Sequence, residues 1–228
     1  MIGQETARSR PPAVSATRTR RAGGKDPGRQ AQDWYRTPEE STRALLRVET
    51  LPHRVWEPAC GDGAISRVLE AAGHDVLSTD LVDRGYGHAG RDFLMERDST
   101  DRAIATNPPF SLADSFVLRA LDLGAPVVAL FMRLAWLEGQ GRAESLWRPH
   151  PPARVWVFSA RQTLWRGDQA RPEGANGGAT AYAWYVWTRG HTGPPALGWL
   201  APETGASTAT RARKLGEQAG DLFGQVSP

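Results

Sequence analysis

The sequence predicts an α/β fold: a mostly parallel sheet, helices on both of its faces, and a closing antiparallel pair. Three observations carry that expectation. Short apolar runs alternate with segments of helical spacing from Thr37 to Met132. The run Pro126 to Met132 is apolar throughout, as in a central strand buried on both faces. Two later runs, Arg154 to Phe158 and Ala181 to Thr188, are joined only by the polar, glycine-rich stretch Arg161 to Thr180. With no helix to cross over, they pair antiparallel at the sheet edge.

The elements follow in order. Thr37 with Glu40 reads as a capping box opening a helix through Leu46. Arg54-Val55-Trp56 is a short strand. Ile65, Val68, Leu69 and Ala72 recur at helical spacing, and Gly73 stops that helix. Val76 to Thr79 is a strand ending at Asp80, and Ile104 to Thr106 is another. Ala113, Phe116, Val117, Ala120 and Leu121 mark a further helix, closed by Gly124.

The chain has 228 residues and a net charge of +3. Seven basic and three acidic residues lie in 1–33, so that segment carries +4 and the remainder is near −1. Residues 1–33 hold almost no large apolar side chains and read as a disordered basic arm. Residues 34–200 read as one domain, and 201–228 as a flexible tail. The single cysteine, Cys60, excludes an intramolecular disulfide and a four-thiolate metal site. The five histidines are scattered, so no metal site is expected. No secretory h-region or membrane span is read, which predicts a cytoplasmic protein.

Glu57-Pro58-Ala59-Cys60-Gly61-Asp62-Gly63 joins the first strand to the following helix. Gly61 and Gly63 let backbone approach a ligand closely at a helix N-terminus. A dinucleotide turn would place a third glycine where Ser66 stands. The preceding Glu57 would repel a pyrophosphate and attract an ammonium group. That favours a cationic, zwitterionic cofactor such as S-adenosylmethionine over NAD. Asp80, ending the next strand, suits both ribose hydroxyls. Asp92 and Phe93 offer a carboxylate and a ring for the adenine.

Asn107-Pro108-Pro109-Phe110 follows the strand at Ile104 to Thr106. Two prolines hold the backbone extended and remove two N–H donors. The Asn107 side-chain oxygen and the Pro108 carbonyl can then accept from one amino group. Phe110 offers a face to a planar base. Cys60 lies in the glycine turn and not behind a proline, so a nucleophilic-cysteine route is not expected. The polar loop with Arg161, Trp165, Arg166 and Arg171 is the candidate nucleic-acid contact. The alternating aromatic positions on the last strand read as core.

These residues resemble the class I S-adenosylmethionine-dependent methyltransferases, and more narrowly the small phage-type adenine-N6 DNA methyltransferases. Glu57 to Gly63 is similar to the family's cofactor motif and Asn107 to Phe110 to its catalytic motif. Trp34 to Pro38 resembles its upstream segment, which implies cofactor contacts by Thr37 and Pro38. The resemblance covers about residues 34–200. It implies a Rossmann-like, seven-stranded sheet with an antiparallel last strand. It also implies S-adenosylmethionine as cofactor, methyl transfer to adenine N6 in DNA, and a bacterial or phage-infected host cytoplasm. RNA methylation at guanine N2 or adenine N6 is an alternative, as is methylation of a protein glutamine amide. Oligomeric state is left open.

Overall fold

The computed structural model describes residues 34–167, 169 and 180–201. The predicted basic arm 1–33, the tail beyond Ala201 and Arg171 lie outside the described residues. The elements are β1 Tyr35–Arg36, α1 Glu39–Leu46, β2 Arg54–Glu57, α2 Ala64–Ala71, β3 Asp75–Ser78 and β4 Ala103–Thr106. They continue with α3 Ala113–Asp122, β5 Val127–Arg133, β6 Arg154–Phe158, β7 Trp165–Arg166, β8 Tyr182–Thr188 and β9 Ala196–Leu200.

Seven of the described strands form one sheet in the order β3-β2-β4-β5-β8-β6-β9. β8 runs antiparallel to both β5 and β6, and every other pair is parallel. The predicted antiparallel pair of β6 and β8 therefore forms, with Trp156 opposite Trp184. It does not sit at the edge, however. β8 inserts between β5 and β6, and β9 takes the edge beside β6. β9 shows no clean alternation: Leu197 and Trp199 face solvent, while Gly198 lies under the Trp156 ring.

Side chains alternate across the strands, as a pleated sheet dictates. Ile104, Val128, Leu130, Met132, Tyr185 and Trp187 enter one core with Phe116 and Val117 of α3. Ala103, Ala105, Ala129, Phe131, Trp184 and Val186 enter the other, with Leu45 of α1 and Ile65 and Leu69 of α2. Each such Leu or Ile contributes about 1.5–3 kcal/mol by leaving water. Continuous apolarity along β5 is thus the signature of two covered faces. The predicted core role of the late aromatics on β8 holds for Tyr182, Trp184, Tyr185 and Trp187.

The capping box does not form. Pro38 is the N-cap of α1 and makes no side-chain cap bond. The Thr37 hydroxyl, one residue too early to cap, accepts instead from the Asn107 amide.

Candidate functional site

β2 lies between β3 and β4, and the chain reaches them in turn. The carboxyl ends of β2 and β4 therefore flank the point where strand order reverses, which is where open α/β sheets hold ligands. The glycine turn leaves β2 and Asn107 leaves β4. This crossover places the two sequence motifs at neighbouring strand ends.

The glycine turn is built around three carboxylates. Glu57, only 2% exposed, accepts from the Ser66 N–H at 2.8 Å and also from the Ser66 hydroxyl. Ser66 lies in the first turn of α2, where N–H groups lack helical partners, so Glu57 caps the helix from the preceding strand. Burial pushes the Glu57 carboxyl well above its ordinary range, against the lowering effect of the Ser66 bonds. Asp80 Oδ2 accepts from the Gly61 N–H at 2.8 Å and Oδ1 from the Val82 N–H at 2.9 Å. Asp62 pairs with Arg36, fastening β1 to the turn.

Gly61 and Gly63 have φ of +55° and +81°, a left-handed backbone that side chains disfavour. Both are closely overlaid. A Cβ on Gly61 would meet Trp34 Nε1 at 2.5 Å, and one on Gly63 would meet the Tyr86 ring at 2.5 Å. The Arg84 guanidinium lies 4.1 Å from the Trp34 ring centroid, and Tyr86 donates to Glu70 at 2.7 Å. Cys60 is buried beneath the turn, and burial raises its thiol to about 12.

Asn107 has a one-sided environment. Its Nδ2 donates to the Tyr35 carbonyl and to Thr37 Oγ1, both at 3.0 Å. Its Oδ1 is buried and has no partner among the described residues. Phe110 stacks on Tyr35, centroids 5.8 Å apart, and the Arg133 guanidinium sits 4.6 Å from its ring centroid. Pro108 is buried and Pro109 half-buried beneath this group.

Two-residue strands β1 and β7 pair antiparallel, with Tyr35 opposite Arg166 and Arg36 opposite Trp165. This ribbon roofs the carboxyl edge and carries part of the predicted nucleic-acid loop onto the site. Trp165 and Arg166 are half-buried in it, and Arg161 is exposed. Strands this short lie below any periodicity window, so the ribbon was not legible in the sequence; Gly167, just past β7, lies against the Trp34 ring.

Asp92 and Phe93 are placed differently. Asp92 is exposed and caps the turn Phe93–Met95 through the Leu94 N–H at 2.9 Å. Phe93 is 2% exposed and packs edge-on against Trp56 in the core, at 5.3 Å. The structure thus joins Tyr35, Thr37, Asn107 and Phe110 in one group and Glu57, Gly61, Gly63 and Asp80 in another. Pro38 caps α1 beside the first group, and Pro58 is buried at the head of the turn. A separate cleft of about 820 Å³, between α3 and residues 187–191, touches none of them.

No protein-family profile and no curated protein matches the sequence. Solved structures do match. A protein from Listeria monocytogenes, described as a candidate class I S-adenosylmethionine-dependent methyltransferase, is similar with a TM-score of 0.51 and 13% identity, over 80% of this chain and 70% of that one. A protein from Pyrococcus horikoshii, described as a candidate RNA methyltransferase, has a TM-score of 0.48 and 16% identity, over 69% and 88%. A modification subunit of a candidate type I restriction enzyme from Vibrio vulnificus has a TM-score of 0.49 and 14% identity, over 86% of this chain and 54% of that one. The sheet order and the Listeria likeness together define the fold: it is the Rossmann-like fold of class I methyltransferases.

Proposed function

We propose that this chain is an S-adenosylmethionine-dependent DNA methyltransferase acting on the N6 amine of adenine. The observation that carries the reading is the buried, unpartnered Asn107 Oδ1. A buried acceptor left unsatisfied costs about 1–3 kcal/mol, and a ligand N–H removes that cost. Both Asn107 donors are already committed to the protein, so the residue can only accept from a substrate.

The residues present fit the cofactor. Gly61 and Gly63 allow close backbone approach at the α2 N-terminus. Each Asp80 oxygen uses one lone pair on a backbone N–H and keeps another for a ribose hydroxyl. Glu57, bound to Ser66, acts by shaping the turn. When bound, S-adenosylmethionine supplies a methyl group on a sulfonium sulfur, a good electrophile. Catalysis by the chain is then alignment and charge placement. Asn107 Oδ1 and the Pro108 carbonyl accept from the amine and keep its lone pair off the ring. A stacked adenine must leave the duplex first, at a cost of roughly a few kcal/mol. Stacking on Phe110 offsets about 1–3 kcal/mol of it. Arg161, Trp165, Arg166 and Arg171 are the proposed backbone contacts, and Pro38 and Asp92 the further candidates for the cofactor side; Phe93, enclosed by Trp56 and Phe116, and Thr37, whose hydroxyl is engaged by Asn107, are not.

The test is incubation with labelled cofactor and, separately, DNA, RNA and protein, followed by nucleoside analysis. N6-methyladenine in DNA is expected. Label only in RNA or on a glutamine amide would move the assignment to that substrate. Asn107→Ala should abolish turnover and leave cofactor affinity within about twofold; wild-type turnover in that variant rejects the site. Affinity for DNA should fall as salt rises if phosphates are contacted.

Among the described residues no helix is long and apolar enough to cross a membrane, and no group of His, Cys, Asp and Glu is placed to hold a metal ion.

A further inference from the structure

We propose that Thr37 is a positioning residue for Asn107: its hydroxyl fixes which way the amide faces. The inference rests on the methyl-transfer reading for its consequence, but its geometry stands without it.

A primary amide is nearly symmetric in shape, and its two ends differ only in hydrogen bonding. Were Asn107 turned over, it would present N–H donors where an amine must donate, and the site would repel its substrate. Two contacts oppose that turn. The Tyr35 carbonyl and Thr37 Oγ1 each accept from Nδ2 at 3.0 Å. The Tyr35 acceptor is backbone and no substitution removes it. The Thr37 acceptor is a side chain, 4% exposed, and a substitution can remove it.

Two further facts single out this hydroxyl. Thr37 stands just before α1 yet makes no cap, since Pro38 holds that position without any side-chain bond. The hydroxyl is therefore directed across the site, to a residue seventy positions away in sequence. In addition, Asn107 Oδ1 is left without a partner, which is the state expected when the opposite end of the amide is held.

Thr37→Val keeps the side-chain shape and removes the acceptor. Its expected signature is a fall in kcat of roughly 10- to 100-fold, the scale on which misplacing one group acts. KM and cofactor Kd should stay within about twofold. Thr37→Ser restores the acceptor and should restore kcat. A purely structural role would instead track the lost methyl, leaving Ser impaired and Val intact.

An arm independent of activity reads the amide directly. In nitrogen-15 spectra of the full chain, the Asn107 side-chain NH2 pair, assigned by its loss in Asn107→Ala, should shift and exchange faster in Thr37→Val but not in Thr37→Ser. An unmoved pair overturns the inference, whatever the substrate proves to be. So does a Thr37→Val enzyme with wild-type kcat, or one whose only defect is a raised cofactor Kd. A wild-type chain that methylates nothing would reject the proposed function, and the amide spectrum would still decide the role of Thr37.

Discussion

The Tyr35 ring lies 5.8 Å from the Phe110 ring, with only 15° between their planes. Tyr35 thus occupies a stacking position that the proposed function gives to a flipped base, and the Arg133 guanidinium also lies against the Phe110 ring. An aromatic pair is worth about 0.5–1.5 kcal/mol beyond its buried area, and base stacking about 1–3 kcal/mol. On the proposed function a base would have to displace Tyr35, with a smaller margin than an open Phe110 would give.

Tyr35→Ala should accordingly lower KM for the nucleic acid by up to about tenfold, because the competing ring is gone. The backbone carbonyl that holds Asn107 is retained. Phe110→Ala should do the reverse and raise KM. Steady-state kinetics on short oligonucleotides measure both. A raised KM in Tyr35→Ala would mean that Tyr35 assists the base and does not compete with it.

Glu57 gives a pH dependence. Its carboxyl is raised by burial in the folded chain and returns to the ordinary range on unfolding. Between those two values the folded state binds the extra proton. Stability from this group is complete below the unfolded value and is lost as pH rises through the folded one. Glu57→Gln keeps an acceptor for Ser66 and cannot ionise. Urea melts across pH should show a flatter profile for the variant, with its advantage growing toward alkaline pH. Equal slopes for variant and wild type would contradict the burial account.

Much of the sheet was legible because its signals are local or periodic. Pro126 to Met132 is apolar along its length because both faces of β5 are covered. Ile65, Val68 and Leu69 keep helical spacing because one face of α2 is buried. The site was legible only as two motifs. That Glu57 would turn onto Ser66, or Thr37 onto Asn107, depends on which strands end side by side, and no spacing rule contains that. Phe93 shows the limit from the other direction. An aromatic residue beside an acid reads the same whether its ring faces a ligand or the core, and here Trp56 and Phe116 enclose it.

Gly61 supports a stability prediction. Its left-handed backbone costs an alanine about 1–2 kcal/mol. The added Cβ also meets the Trp34 ring, which packs against Gly61 and Gly167 at once. Gly61→Ala should therefore destabilise by roughly 2–3 kcal/mol, strain and clash together. In the double variant with Trp34→Ala, the clash is relieved and the backbone strain is not. Chemical denaturation of the four-member cycle should give a favourable coupling of about 1 kcal/mol. Simple additivity would show that Trp34 is not seated on the turn.

Cys60 should be chemically silent in the folded chain. Its Sγ is buried and donates to the Tyr86 carbonyl at 3.5 Å. Burial, with a smaller contribution from the charge of Glu57, raises the thiol to about 12. At pH 8 almost no thiolate is present, and the thiolate is the reactive form. A maleimide or disulfide reagent should label the native chain slowly and the urea-unfolded chain at the rate of a free thiol. Cys60→Ala should lose some stability to the small cavity, about 1 kcal/mol, and keep kcat within about twofold. Methylation of a ring carbon through a covalent sulfur adduct would instead require this thiol, the chain's only one, and the variant would be inactive. Rapid native labelling, or loss of turnover in Cys60→Ala, would point to that chemistry. An inert thiol with full turnover agrees with an amine accepting the methyl group directly, held by Asn107.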